Sequence, residues 1–344
     1  MLKNFLAGCT AFLCTQSLIA QTDSTTKSVT TFTGSLDAYY RHNFSGPESG
    51  KTNNLTSFTH SVNSFELGMA SLKVDHSYGK ISATADLGIG RRAQEFTYTE
   101  SGVNAIIKQA FVSYAPSSAV KFTMGKWATH VGYEMVDAYA NRNYSMSYGF
   151  SYGPFFHTGL KADIALGGKS ALMVGIANTT DYLSAPSAVS YVLAQFSTAS
   201  SNDKLKAYLN FQGSTELTQF NLVLSGTLSD KLTMAYDGSV LTTHTNGVND
   251  TWNSHAVYLN YDPIQSFGLT LRGDYFSDRK ISPLVTMSGG SVVATTLSGN
   301  FRCGNLTIIP ELRLDYDSDP VFSKNGAPDK KSTTSFILAA VYKF

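Results

Sequence analysis

From Thr31 onward apolar and polar residues alternate with a period of two, and this pattern constrains the chain more than any other feature. Such a period places successive side chains on opposite faces of a strand, whereas a helix would repeat every 3.6 residues. Ile81, Ala83, Ala85, Leu87 and Ile89 alternate with Ser82, Thr84, Asp86 and Gly88. Phe220, Leu222, Leu224 and Leu228 alternate with Asn221, Ser225 and Thr227. Segments of this kind run about 9–12 residues, the length that crosses a hydrocarbon layer when tilted. Strands of soluble sandwiches are shorter, about 5–6 residues. Sixteen are expected: 30–42, 63–77, 80–92, 105–115, 119–132, 156–166, 170–180, 188–199, 204–213, 218–228, 231–243, 252–262, 266–277, 291–302, 305–317 and 335–344. The second, seventh and eighth carry apolar residues at both parities.

The connections are patterned too. Even-numbered ones are short, as at Ser77-Tyr78-Gly79, Gly167-Gly168-Lys169 and Cys303-Gly304. Odd-numbered ones are mostly long and polar: 43–62, 93–104, 133–155, 244–251, 278–290 and 318–335, with 213–217 an exception. Short turns at one end and long loops at the other are the wiring of an outer-membrane barrel. The expected fold is therefore all-β: a transmembrane antiparallel β-barrel of about 16 strands, with short periplasmic turns and long extracellular loops. A propeller would need a constant repeat of about 40–50 residues, which is absent. A secreted sandwich explains alternation but not strand length or loop phasing.

Composition agrees. Charged residues make up only 15% and the net charge is +1, which excludes a nucleic-acid binder with its basic face. With 21 Phe, 19 Tyr and 28 Gly, the chain favours strands and small-residue turns over helix. Met1–Ala20 reads as a secretory signal peptide, with Lys3 before an apolar run from Phe5 to Cys14 and Gln21 as the first mature residue. Residues 21–344 then form a single barrel domain in the outer membrane. Cleavage removes Cys9 and Cys14 and leaves Cys303 without a disulfide partner. No window of 18 apolar residues offers a transmembrane helix.

Several short stretches carry a family resemblance: Lys108-Gln109-Ala110-Phe111-Val112-Ser113-Tyr114, Thr123-Met124-Gly125-Lys126, Gly153-Pro154-Phe155-Phe156-His157-Thr158-Gly159, Leu271-Arg272-Gly273-Asp274-Tyr275-Phe276 and Pro310-Glu311-Leu312-Arg313. In their order and spacing they resemble the β-barrel porin-2, OmpL-like family of Gram-negative outer-membrane proteins, over nearly the whole mature chain. The resemblance implies a pore without a settled substrate, and it supplies no catalytic residues.

Enzyme signals are missing: the chain has no HExxH, Walker loop, GxSxG or CxxC. The seven histidines, at 42, 60, 76, 130, 157, 244 and 255, lack ligand spacing, so no metal or cofactor is expected. Polar parity assigns Arg41, Arg92, Lys161, Lys206, Arg272 and Arg313 to the lumen, against Asp37, Asp86, Asp163, Asp237, Asp274, Glu311 and Asp315. Six positive against seven negative predicts a mixed, hydrated lumen and a weakly selective diffusion pore. The third long loop, Tyr133–Phe155, has the position and length to fold inward, which would bring Glu134, Asp137 and Arg142 to the constriction. The terminal strand aligns Phe336, Leu338, Ala340, Tyr342 and Phe344 on one face, an insertion signal ending in Tyr342 and Phe344. Expected partners are outer-membrane lipid, the barrel assembly machinery and small hydrophilic solutes, with no nucleic acid; a homo-oligomer stays open. Two other functions compete. One is a specific sugar or peptide channel with a stacking track of Tyr39, Tyr208 and Tyr258; the other is an adhesin or structural barrel displaying 43–62 and 318–335.

Overall fold

The computed structural model of the chain describes residues 27–245, 247–279 and 290–344. The leader at Met1–Ala20, the cleavage point at Gln21 and most of the connection at 278–290 lie outside the described residues. Sixteen antiparallel strands close into one barrel. The first eight are β1 (Ser28–Asn43), β2 (Ser64–Tyr78), β3 (Ile81–Ile89), β4 (Ile107–Tyr114), β5 (Val120–Ala128), β6 (Phe156–Gly167), β7 (Ser170–Ala177) and β8 (Tyr191–Ala199). Then come β9 (Leu205–Gly213), β10 (Leu217–Ser229), β11 (Leu232–Thr245), β12 (Val248–Ile264), β13 (Phe267–Arg279), β14 (Ser291–Cys303) and β15 (Leu306–Asp317). A loop hairpin, β16 (Phe322–Lys324) and β17 (Ala327–Lys330), precedes the closing strand β18 (Ser332–Lys343).

Alternation sets the two surfaces. Along β12, Ser254, Ala256, Tyr258 and Asn260 are buried inside, while His255, Val257, Leu259 and Tyr261 are exposed outside. The exposed apolar belt suits lipid, and closure pairs the backbone groups that an open sheet edge would leave bare in hydrocarbon.

β18 closes the barrel by pairing with β1 from Ser35–Lys343 to Asn43–Ser335. Two further bonds extend the seam: Phe344 N donates to Gly34 O at 2.9 Å, and Gly34 N to Phe344 O at 3.0 Å. The Phe344 ring lies across Gly34 so closely that a β-carbon there would sit 2.1 Å from it. A Gly34→Val variant is therefore expected to push the ring off the seam and lower the fraction of heat-modifiable barrel. Electrophoretic mobility of unheated outer-membrane fractions measures this, and unchanged mobility and abundance would show the contact to be dispensable.

Three of the boundaries that differ from the sequence expectation bear on the site. β3 stops at Ile89 because Gly90 takes a φ of 116°, and helix α1 (Arg91–Phe96) follows, so Arg92 sits on a loop helix instead of a strand. β5 ends at Ala128 instead of 132, which gives the third loop four more residues. The expected loop at 244–251 is largely strand: β11 and β12 run out towards Gly247, which takes a φ of 77°. Thr and Asn residues suggest a loop by polarity. Here the Thr242 and Thr251 hydroxyls bond at 2.9 Å, and His244 Nδ1 and Asn249 Oδ1 lie 2.9 Å apart across the ladder, which extends the hairpin.

Candidate functional site

Residues 129–155, between β5 and β6, form a strap that runs inside the barrel. Irregular backbone there needs hydrogen-bond partners, because no ladder supplies them. The inner wall provides them in charged form. Glu311 on β15 accepts from Tyr144 N at 2.7 Å and Ser145 N at 3.1 Å. Asp274 on β13 accepts from Tyr148 N at 3.2 Å, and Asp237 on β11 from Tyr133 N at 2.9 Å. Arginines serve the carbonyls. Arg272 donates to Ser145 O at 2.7 Å, Arg313 to Met146 O at 2.7 Å and Arg92 to Tyr144 O at 3.1 Å. Tyr144 and Tyr148 reach further and donate their hydroxyls to Asp37 at 2.6 Å and Asp315 at 2.8 Å.

The strap crosses almost the full barrel. It enters from the long-loop end and by Tyr133 already lies in the periplasmic half, packed on Tyr258 opposite Ala235, ring centres 4.6 Å apart. Its tip reaches the short-turn end, where Arg142 forks onto Asp262 at 2.9 and 2.8 Å, near the last residue of β12. Lys343 lies over the Tyr139 ring at 4.4 Å. The chain then climbs back into helix α2 (Tyr148–Tyr152), whose first turn is capped by Ser147 Oγ accepting from Phe150 N at 3.2 Å. At the strap's root, burial pushes the His130 imidazole down to about 4, so the ring stays neutral; its Nε2 lies 3.1 Å from Phe211 O.

Loop one, residues 44–63, also turns inward. Arg41 on β1 holds it by donating to Thr52 O at 2.8 Å and Ser61 O at 3.0 Å. Phe58 joins Phe96, Phe150, Phe155 and Phe156 in an aromatic cluster between loop one, α1 and the strap. At mid-height the lumen is packed. Met69, Trp127, Leu193, Asn221 and Ile337, from five parts of the wall, are each at most 4% exposed. Above this layer a cavity of about 580 Å³ opens towards the loops, with Tyr98, Tyr152, Phe155, Asp181, Gln212 and Trp252 in its lining. Below it, on the β5–β9 wall, Lys121, Lys161 and Asp163 keep 13, 19 and 29% of their side chains exposed.

The three residues expected at the constriction sit on separate anchors. Glu134 pairs with Arg272 at 2.7 Å, Asp137 with Lys108 at 2.6 Å, and Arg142 with Asp262. Lys108 also reaches Asp86 at 3.1 Å. Of the lumenal charges, Arg41, Asp86, Arg92, Arg272, Asp274, Glu311, Arg313 and Asp315 are buried against loops or one another, while Lys161 and Asp163 stay half-buried and 3.4 Å apart. Arg313 pairs with Asp315 at 2.8 Å and Arg272 with Asp274 at 3.4 Å. The six-to-seven tally of a hydrated lumen is corrected by this burial: most of these charges bind the strap and are dry. Sequence reasoning passed over Lys108, because the register slips between Asp86 and Leu87, and Asp262, because the sequence pattern puts it in the short 262–265 connection, whereas it lies in the last residues of β12. Tyr39 and Tyr258 are 1 and 3% exposed and packed on Tyr144 and Tyr133, and Tyr208 is 6% exposed, so the three do not present open ring faces.

The sequence matches the family model "Putative beta-barrel porin-2, OmpL-like" over residues 29–344. The chain belongs to this family. It is an outer-membrane channel for the diffusion of small solutes, and the members of the family are channels. Solved structures share its architecture. The anion-selective porin from Comamonas acidovorans aligns with a TM-score of 0.62 at 12% identity, covering 92% of this chain and 100% of that one. OmpT of Vibrio cholerae, in a trimer form, aligns with a TM-score of 0.60 at 11% identity, covering 92 and 99%. OpdK from Pseudomonas aeruginosa gives 0.54 at 9%, covering 92 and 99%. At these identities the likeness is one of fold. Among curated proteins no sequence matches. The long-loop end of the porin is thus its extracellular end, and the short turns face the periplasm.

Proposed function

We propose that the porin passes small hydrophilic solutes without a dedicated binding site, along the β5–β10 side of the strap. The observation that carries this reading is the unequal anchoring of the strap. Towards β13–β15 and β1 it is held by ionised groups: Arg272, Arg313, Glu311 and Asp37. Towards β8–β10 its root is held by amides: Gln195 Nε2 donates to His130 O at 3.1 Å, and Gly132 N to Asn221 Oδ1 at 3.1 Å. Hydrogen bonds between neutral groups are roughly half as strong as charge-assisted ones, so this edge yields first. The half-buried lower wall at Lys121, Lys161 and Lys206 continues the route to the periplasm. Glu134, Asp137 and Arg142 then shape the constriction by holding the strap in place. Purified, folded porin in a planar bilayer should give discrete ohmic steps. Silence from both the wild type and a strap-shortened variant would overturn the reading. The buried Tyr39, Tyr208 and Tyr258 disfavour a specific sugar channel.

The leader at Met1–Ala20 fits export with cleavage within a residue or two of Gln21. N-terminal sequencing of protein from outer-membrane fractions checks it, and an intact leader there would refute it. The exposed apolar belt requires outer-membrane lipid as its solvent. The Tyr342–Phe344 edge fits recognition by the barrel assembly machinery. OmpT, similar in fold, occurs in a trimer form; light scattering in detergent measures whether this porin assembles likewise.

A further inference from the structure

On the β5–β9 wall the charges that stay partly exposed are mostly positive. On the lower β5–β9 wall, Lys121 faces Asp163 in register across the β5–β6 pair, with Nζ and carboxylate 3.5 Å apart. Lys161 sits one pleat higher towards the strap root, opposite Thr123 and Gly175, 3.4 Å from Asp163 and 5.7 Å from the Trp127 ring. Lys206 stands near the periplasmic end of β9, flanked in register by Ala199 and Ser225, neither of which offers a countercharge. Asp203, in the β8–β9 turn, interacts with Lys206 and is bonded by Lys169 from the β6–β7 turn. Among the described residues, four ammonium groups, on Lys121, Lys161, Lys169 and Lys206, thus meet two carboxylates, Asp163 and Asp203, along this part of the route.

The extracellular cavity does not offset this excess. Asp181 is 3% exposed and accepts from Phe155 N at 2.7 Å and Phe156 N at 2.9 Å. Burial raises its carboxyl to about 6, and the charge it keeps is met by these two amides and by nearby Lys126. Glu95 is engaged by His60 at 3.3 Å and Arg91 at 3.8 Å. Charges beside a narrow, partly dehydrated path act on a passing ion with little screening, whereas charges more than a Debye length away, about 10 Å at 0.1 M salt, are largely silent.

Resting on the proposed route along β5–β10, we infer that Lys121, Lys161 and Lys206 make this porin prefer small anions, inorganic or carboxylate, over cations of similar size. The preference is a property of local charge and needs no bound substrate. It weakens as salt rises, because mobile ions screen the lysines.

The test uses the full-length folded porin in planar bilayers under a KCl gradient. The wild type should give a reversal potential of the sign set by chloride permeation. The K161E/K206E double variant should shift it to the sign of potassium permeation, more strongly at low salt. K330E, on the exposed extracellular β16–β17 hairpin, should leave it unchanged. Acetate replacing chloride should still carry current in the wild type. A cation-preferring wild type, or a double variant with unchanged reversal potential in heat-modifiable barrels, would overturn the inference and leave the channel intact. Silence from the wild type and the strap-shortened variant alike would instead remove the channel reading, and this inference with it.

Discussion

Deleting residues 138–152 is expected to raise single-channel conductance several-fold. A 16-stranded barrel whose interior is left open encloses an aqueous channel. In this porin the strap fills that space down to Asp262 at the periplasmic end. The wall itself does not depend on the strap: each barrel strand is paired on both sides, and that ladder survives the deletion. Removing the strap uncovers Glu311, Asp274, Arg272 and Arg313, but water takes its place, so these charges become hydrated instead of stranded in a dry interior. The measurement is conductance of variants that still migrate as heat-modifiable barrels. Equal conductance in such barrels would mean that the strap lies outside the ion path. A subtler substitution behaves differently. Glu134→Lys with Asp137→Lys places cations beside Arg272 and Lys108, which are 0 and 1% exposed. The expected result is a loosened strap with larger, noisier currents, and any change of selectivity follows from that loosening.

How much of this was legible in the sequence depends on the range of each signal. Strand positions were readable because a period of two is local: five residues of β3 or β10 suffice to show which face is which. The same parity placed Arg272, Asp274, Glu311, Arg313 and Asp315 on the inner wall. Parity cannot say what covers a wall residue, and whether these groups are wet or dry depends on a loop about 130 residues or more distant in sequence. Tyr144 bonds Glu311 across 167 residues, and Arg272 bonds Glu134 across 138. Position and length indicated that the third loop turns inward, but its depth rests on the Arg142–Asp262 contact, and a lone Asp at an expected turn gives no warning of that. Lys121 was overlooked in counting lumenal charge because its strand carries apolar and polar residues unevenly around Phe122 and Gly125. The extended β11–β12 hairpin was missed because polarity masked a threonine ladder.

Arg272→Met should produce the largest effect of any single substitution on the strap while leaving the barrel closed. The Arg272 side chain is fully buried, and its guanidinium bonds Glu134 and Ser145 O at 2.7 Å each, Met146 O at 3.2 Å and Thr296 Oγ1 at 3.2 Å. Asp274 lies 3.4 Å from its Nε. Methionine fills part of the volume but strands two carboxylates in the same dry layer, and breaking a buried pair from one side costs about 3–5 kcal/mol. Water can relieve that cost only by entering, which means lifting the strap from β13. The expected result is a porin of normal heat-modifiable mobility whose strap is cut by added protease, and whose open-channel current flickers. Arg272→Lys should rescue little, because an ammonium cannot reproduce the forked bonds to Glu134 and two strap carbonyls. Arg272→Met combined with Glu134→Gln should rescue more, since it removes one stranded charge, and the two substitutions should therefore be non-additive. If Arg272→Met leaves strap cleavage and current noise at wild-type levels, the ionised wall does not hold the strap, and its anchoring must be sought in the aromatic cluster of Phe58, Phe96, Phe150 and Phe155.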